Sequence, residues 1–148
     1  MKKNDCVFCN IIQGKIPSDI IFEDKYTLVT LDIDEVVKGH VLVIWKKHLT
    51  NISDLTLKEY LIFSKLLWKT EKVLLQITNK NRSIIFKTGS LVSHFHFHIY
   101  PVSLNTQWGK IKDFIDKDVV RKKNIRYKYK KGEKEDFILN LRRLIGKN

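Results

Sequence analysis

Residues 94–101 read His-Phe-His-Phe-His-Ile-Tyr-Pro, and this stretch decides the fold. Strict alternation of histidine with phenylalanine, running on into β-branched and aromatic residues as far as Val102, is the period of a strand whose two faces differ. On such a strand His94, His96 and His98 share one face at a spacing of about 7 Å. A single buried histidine is usually a satisfied core residue, but three neutral rings in a row would each need a buried partner. Such a row is costly to bury unless a ligand, a metal or a reaction engages it. Two chemistries compete: a metal bound by the row itself, or an imidazole nucleophile oriented by its neighbours.

Working outward, residues 83–87 (SIIFK) predict a strand joined to the histidine strand by a turn through Gly89. Residues 26–33 (YTLVTLDI) and 40–45 (HVLVIW) have strand composition, with residues 34–39 as their connection. Thr56 is placed as an N-cap with Glu59 completing a capping box, and Leu57, Leu61, Ile62, Leu66, Val73 and Ile77 recur behind it at helical spacing to about residue 79. Ile111, Phe114, Ile115 and Val119, and then Phe137, Ile138, Leu141, Leu144 and Ile145, predict two short helices flanking a basic stretch. The expected organisation is one unit over residues 1–102 with a basic C-terminal extension, residues 103–148, packed on or beside it.

A chain of 148 residues that is 43% hydrophobic and 30% charged fits one globular domain, neither disordered nor collagen-like. No apolar run approaches the roughly 18–20 residues of a membrane span, and the start lacks the apolar stretch of a signal peptide. The expectation is a soluble cytoplasmic protein with no membrane partner. The net charge of +12 is uneven, because residues 110–148 hold 14 basic and 6 acidic side chains. Residues 121–131 (RKKNIRYKYKK) interleave two tyrosines with bases, as a nucleic-acid contact would. Alanine is absent from the whole chain while lysine, isoleucine and asparagine abound, a bias that produces such a patch without selection for binding. Nucleic acid is therefore the less favoured partner, since a basic patch alone supplies only non-specific affinity.

Cys6 and Cys9 are too close to staple a fold, and a reducing compartment keeps them as thiols. Their C-x-x-C spacing supplies half a tetrahedral zinc site, the rest coming from any two histidines that folding brings near. A thioredoxin-like redox pair is the rival, but it normally follows a strand and opens a helix, and no strand precedes this one. Two free thiols are the remaining alternative.

The histidine stretch resembles the signature of the histidine-triad (HIT) family, H-x-H-x-H followed by two apolar positions. Residues 6–17 (CVFCNIIQGKIP) are similar to the family's opening segment, and Phe22-Glu23-Asp24, Leu31-Asp32-Ile33, residues 39–44 (GHVLVI) and Lys46-Lys47-His48 follow in its order. The resemblance implies an α+β fold, a five-stranded antiparallel sheet with helices, paired into a two-fold homodimer. It implies a nucleotide-binding hydrolase or transferase acting at the α-phosphate of a nucleoside phosphoramidate, a dinucleoside polyphosphate or an adenylylated substrate. By position, His96 is the nucleophile, His98 contacts the phosphate and His40 is a further histidine near the triad. Asp32 matches the acceptor for the ribose hydroxyls, and Ile33, Phe8 and Ile11 form the wall beside the base. Backbone N–H groups around Gly89 and Ser90 serve the phosphate. Zinc would be held by Cys6, Cys9, His48 and His94, as a structural ion because four protein ligands leave no open position. No organic cofactor is implied. Residues 86–92 are shorter than the family's segment and lack its Asn and Gln, so the alternative is a nucleotide-binding regulatory module with little or no activity. Retention of all three triad histidines argues against that alternative.

Overall fold

The computed structural model describes residues 5–87, 89 and 91–146. Two nearly pure apolar runs, Thr-Leu-Val-Thr-Leu and Val-Leu-Val-Ile-Trp, form β2 (Thr27–Leu31) and β3 (Val41–Trp45), and every residue of both is buried. Strands covered on both faces lose the apolar–polar alternation of a half-exposed strand. With β1 (Ile20–Glu23), β4 (Arg82–Phe86) and β5 (His96–Val102) they make a five-stranded sheet in the order β1-β2-β3-β5-β4, antiparallel at every pair. This is the expected α+β architecture. Gly39 enters β3 at φ +81°, and a Cβ there would meet Phe137 Cζ at 2.9 Å and Leu74 Cδ2 at 3.1 Å. Both the left-handed backbone and the close approach require glycine.

The sheet is covered on both faces. On one side lies α2 (Leu57–Thr78), whose start is the expected capping box: Thr56 Oγ1 accepts from Glu59 N while Thr56 N donates to Glu59 Oε2 at 2.8 Å. The helix ends where Asn79 turns left-handed at φ 50°. Its Phe63, Leu66 and Leu74 pack on Val29, Val43 and Ile99 together with Phe137, Leu141 and Ile145 of α5 (Glu133–Ile145). Arg142 ties α5 to the edge strand, its Nε and Nη2 donating to Ile20 O at 3.0 and 2.6 Å.

The other face holds Leu28, Leu42 and Ile44 against Phe8 of α1 (Val7–Ile12). Further along, Tyr100 and Val102 meet Phe114 of α3 (Trp108–Ile115) and Val120 of α4 (Lys117–Lys122). His96 lies opposite Ile44 and His98 opposite Leu42, so both imidazoles stand on this second face. Among the described residues no helix is long and apolar enough to cross a membrane.

Three local features differ from the sequence reading. β5 begins at His96 and not at His94, because Phe95 N donates to Leu49 O at 2.6 Å, outside the ladder. The helical spacing across residues 111–119 covers two helices, since the Asp116 side chain accepts from Val119 N at 3.1 Å and starts a new one. α1 and β1 are not evident in the sequence; with six and four residues they are too short to show a period.

Candidate active site and metal centre

Cys6 stands at the start of α1 and Cys9 one turn on, so both sulfurs face the same neighbour. That neighbour is the pair His48, in the loop after β3, and His94, just before β5. Cys6 Sγ lies 3.4 Å and Cys9 Sγ 3.6 Å from His94 Nδ1, Cys9 Sγ 3.3 Å from His48 Nδ1, and the two Nδ1 atoms 3.2 Å apart. All four donor atoms lie within 4.8 Å of one another. A tetrahedral zinc ion with its usual bond lengths sets its ligands roughly 3.3–3.8 Å apart, so the donors fit the ion in kind, and these four separations fit it in spacing. His94 Nε2 donates to Trp45 O at 2.6 Å, which fixes the tautomer and leaves the Nδ1 lone pair facing the sulfurs. Burial also lowers the His94 pKa, with His48 adding to the effect against the Trp45 bond. Neither cysteine is in a disulfide.

The other two triad rings turn away from this cluster. His96 Nδ1 donates to His94 O at 2.5 Å, and His96 Nε2 stands 3.2 Å from His98 Nε2. Burial pulls the His96 pKa down to about 4, helped by His98 and His94 and opposed by the carbonyl bond and Asp32, so the ring is neutral at neutral pH. His98 Nδ1 lies 3.0 Å from His40 Nε2, and Asp32 Oδ2 is 3.4 Å from His40 Nε2 and 3.5 Å from His98 Nδ1. One proton assignment serves the ring-to-ring pairs: His40 Nε2–H is shared between Asp32 Oδ2 and the bare His98 Nδ1, which both accept from it, and His98 Nε2–H points at the bare Nε2 of His96. Phe86 stacks on His98 at 4.9 Å between ring centres, and Phe8 meets His96 edge-on at 4.7 Å.

These rings line a cavity of about 540 Å³, within the size range of small-molecule sites. Of the residues singled out in the sequence, Phe8, Ile11, Asp32, Ile33, His96 and His98 line it, and Ile33 is 91% exposed at its mouth. His40 is fully buried behind His98. Gly89 is in the β4–β5 connection and is not among the described lining residues, whereas Leu91 and Val92 from that connection are. Ser90 lies outside the described residues.

The sequence reading missed one wall altogether. Ile115, Arg121, Arg126, Tyr127, Tyr129 and Lys134 line the same cavity. Four of them are held by the β2–β3 loop: Arg121 and Arg126 pair with Asp34, Tyr127 N donates to Glu35 O at 2.7 Å, and Tyr129 Oη donates to Glu35 Oε2 at 2.7 Å. Burial pushes the Glu35 carboxyl up to about 7 against the hydrogen bonds it accepts from Tyr129 Oη and Gly39 N. The charge run of residues 121–131 is visible in the sequence, but nothing local points from it to Asp34.

A family model described as "Scavenger mRNA decapping enzyme C-term binding" matches residues 5–113. A HIT-like protein of Methanocaldococcus jannaschii is 38% identical over 100 residues, 65% of this chain and 78% of its own. The adenosine 5'-monophosphoramidase HNT1 of Saccharomyces cerevisiae is 36% identical over 100 residues, 65% of this chain and 61% of its own. A Zn-bound histidine triad family protein from Mycobacterium smegmatis superposes with a TM-score of 0.68 at 22% identity, over 98% of this chain and 96% of its own.

Proposed function

The chain belongs to the histidine-triad family, and from that premise we propose that it binds a nucleotide and hydrolyses or transfers at its α-phosphate through His96. One observation carries the reading: the His96 ring is locked by its Nδ1–H to a backbone carbonyl, with its Nε2 lone pair facing a donor inside a nucleotide-sized cavity. In the first step Nε2 attacks phosphorus, and the bond to the leaving group breaks with its electron pair going to that group. Water then attacks the nucleotidyl-histidine, the P–N bond breaks and the monophosphate leaves. For the attack to begin, His98 Nε2–H transfers its hydrogen bond from His96 to a phosphate oxygen, where it stabilises the developing charge. His40 and Asp32 hold His98 in the tautomer that this donation needs. Asp32 also accepts from the ribose, with Phe8, Ile11 and Ile33 beside the base. The similarity to an adenosine 5'-monophosphoramidase supports phosphoramidates as the first substrates to try. Turnover on a phosphoramidate, a dinucleoside polyphosphate and an adenylylated amine, with capture of an acid-labile nucleotidyl-protein, tests the reading. Binding without turnover of any of these would favour the regulatory alternative.

The same reading includes structural zinc on Cys6, Cys9, His48 and His94, where two sulfurs and two imidazole nitrogens already converge. When bound, the ion supplies a cross-link and no chemistry on the substrate. It also includes a cytoplasmic two-fold homodimer. The supporting observations are that β4 is an edge strand and that α2 exposes Leu57, Leu61 and Trp68 along one stripe. Light scattering should give twice the 17.6 kDa chain mass.

A further inference from the structure

Residues 114–148 lie beyond the part of the chain that the family model matches, yet they supply one wall of the triad's cavity. At its centre is Asp34, whose carboxylate is buried and receives two arginines. Arg121 Nε and Nη2 lie 3.1 and 3.0 Å from Oδ2, and Arg126 Nε and Nη2 lie 2.8 and 2.7 Å from Oδ1. One guanidinium neutralises the Asp34 carboxylate, and the second brings a positive charge to a cavity edge that also holds the Asp32 carboxylate. Each guanidinium commits two of its five N–H groups to Asp34. The side chains are 57% and 46% exposed, which leaves the remaining donors open to a ligand. A third donor lines the same cavity from β5: Tyr100 is 1% exposed, and its hydroxyl has no hydrogen-bond partner among the described residues. A buried hydroxyl without an acceptor is costly unless a ligand provides one.

The position of this edge follows from the hydrogen bonds. Asp34 N donates to Asp32 Oδ1 at 2.8 Å, and the other Asp32 oxygen faces His40 and His98. The order along the cavity is therefore His96, His98, Asp32, and then Asp34 with its arginines. A nucleotide with its α-phosphate at His96 and its ribose at Asp32 turns its 2'- and 3'-oxygen edge toward the guanidiniums. We propose that Arg121, Arg126 and the Tyr100 hydroxyl form a subsite for a phosphate ester on the 2' or 3' oxygen of the bound ribose. This inference rests on the nucleotide reading above and adds to it a substrate class, a nucleotide carrying a second anionic group on its sugar. The two arginines are its specificity-determining residues. A planar guanidinium matches a phosphate by two parallel donors, and the pair offsets the repulsion that Asp32 exerts on the same group.

Calorimetry on the full chain tests this without a variant. AMP, adenosine 3',5'-bisphosphate, adenosine 2',5'-bisphosphate and the 5'-phosphorylated dinucleotide pApA are titrated at one salt concentration. One bisphosphate should bind at least about tenfold more tightly than AMP. An equal gain for pApA assigns the group to the 5' end of a polynucleotide, and a gain confined to the bisphosphate assigns it to a small molecule. In Arg121→Gln and Arg126→Gln the ratio of bisphosphate to AMP affinity should fall toward one, and in Arg126→Lys it should fall only in part. Each single variant leaves one arginine on Asp34, so the fold is retained. Equal affinities for AMP and both bisphosphates in the unaltered protein would overturn the subsite, as would a ratio unchanged by either arginine variant. Failure to bind any of the four ligands would overturn the nucleotide reading itself.

Discussion

A single carbonyl separates the two uses of histidine in this site. His94 O takes the Nδ1–H of His96, while the His94 ring gives its own Nε2–H to Trp45 and its Nδ1 lone pair to the sulfur cluster. The two rings thus present opposite nitrogens, and only His96 offers Nε2 to the cavity. His96→Ala should abolish turnover while nucleotide affinity falls by no more than roughly ten- to a hundredfold, since one hydrogen bond to a charged group is worth roughly 1.5–3 kcal/mol. Steady-state kinetics beside calorimetry checks it, and near-native turnover in the variant would refute covalent catalysis at this residue. Glu35 gives a prediction of a different kind. Its carboxyl is raised from 4.5 to about 7 by burial, so the folded state holds its proton more tightly than the unfolded state. The stability this provides is complete below about pH 4.5 and is lost as pH rises through 7, a change on the order of 3 kcal/mol at most. Glu35→Gln should remove that loss, so the variant gains on the parent between pH 5 and pH 8 in urea midpoints. A constant difference across that range would refute it. These residues also mark where the sequence could be read. Histidine and cysteine announce their chemistry by type and spacing, but Asp34 acquires its role from arginines 87 and 92 positions away, and no local pattern carries that information.

At the scale of elements, the sheet core was legible because β2, β3 and β5 are dense in β-branched and aromatic residues, and α2 because 22 residues give its period and cap room to show. α1 has six residues and no side-chain cap, so its helical state depends on what it packs against. It packs through Cys6, Phe8 and Cys9 against Leu42 and Ile44 of β3 and the His94 and His96 rings of the β5 region. Zinc on Cys6, Cys9, His48 and His94 would therefore hold α1, the loop after β3 and the entry to β5 together, and α1 supplies the Phe8 wall of the cavity. Stripping the metal with a chelator should lower Tm by roughly 10 °C, expose both thiols to titration and weaken nucleotide binding. Protein purified without added zinc that holds no metal, yet melts at the same temperature with and without chelator, would count against the cross-link.

Across the whole molecule, the charge distribution and the core pull the C-terminal segment to the same place by different means. Residues 110–148 carry half of the basic side chains and most of the net charge, and several of those charges are engaged: Arg121 and Arg126 on Asp34, Lys134 on Asp19 at 2.5 Å, and Lys123 on Asp113 at 3.5 Å. The Lys134–Asp19 and Lys123–Asp113 pairs, exposed at both ends, contribute little to stability. Apolar burial contributes more, because Phe137, Ile138, Leu141 and Ile145 of α5 share one cluster with Phe63 and Leu74 of α2 and with Val29, Val43 and Ile99 of the sheet. Phe137 also fills the approach to the Gly39 turn, which leads back through Glu35 to Asp32. Losing that ring alone should cost about 3–5 kcal/mol, a large share of the 5–15 kcal/mol typical of a whole domain. Phe137→Ala should accordingly lower the urea midpoint by roughly 1–2 M. A chain ending at residue 102 loses all of α5 along with Phe114 and Val120, which exposes Val36, Tyr100 and Val102 as well. It should show no cooperative unfolding transition by circular dichroism. If residues 1–102 alone unfolded cooperatively at the midpoint of the full chain, the C-terminal segment would be dispensable to the core, and its contacts with Asp34 and Glu35 would serve the cavity alone.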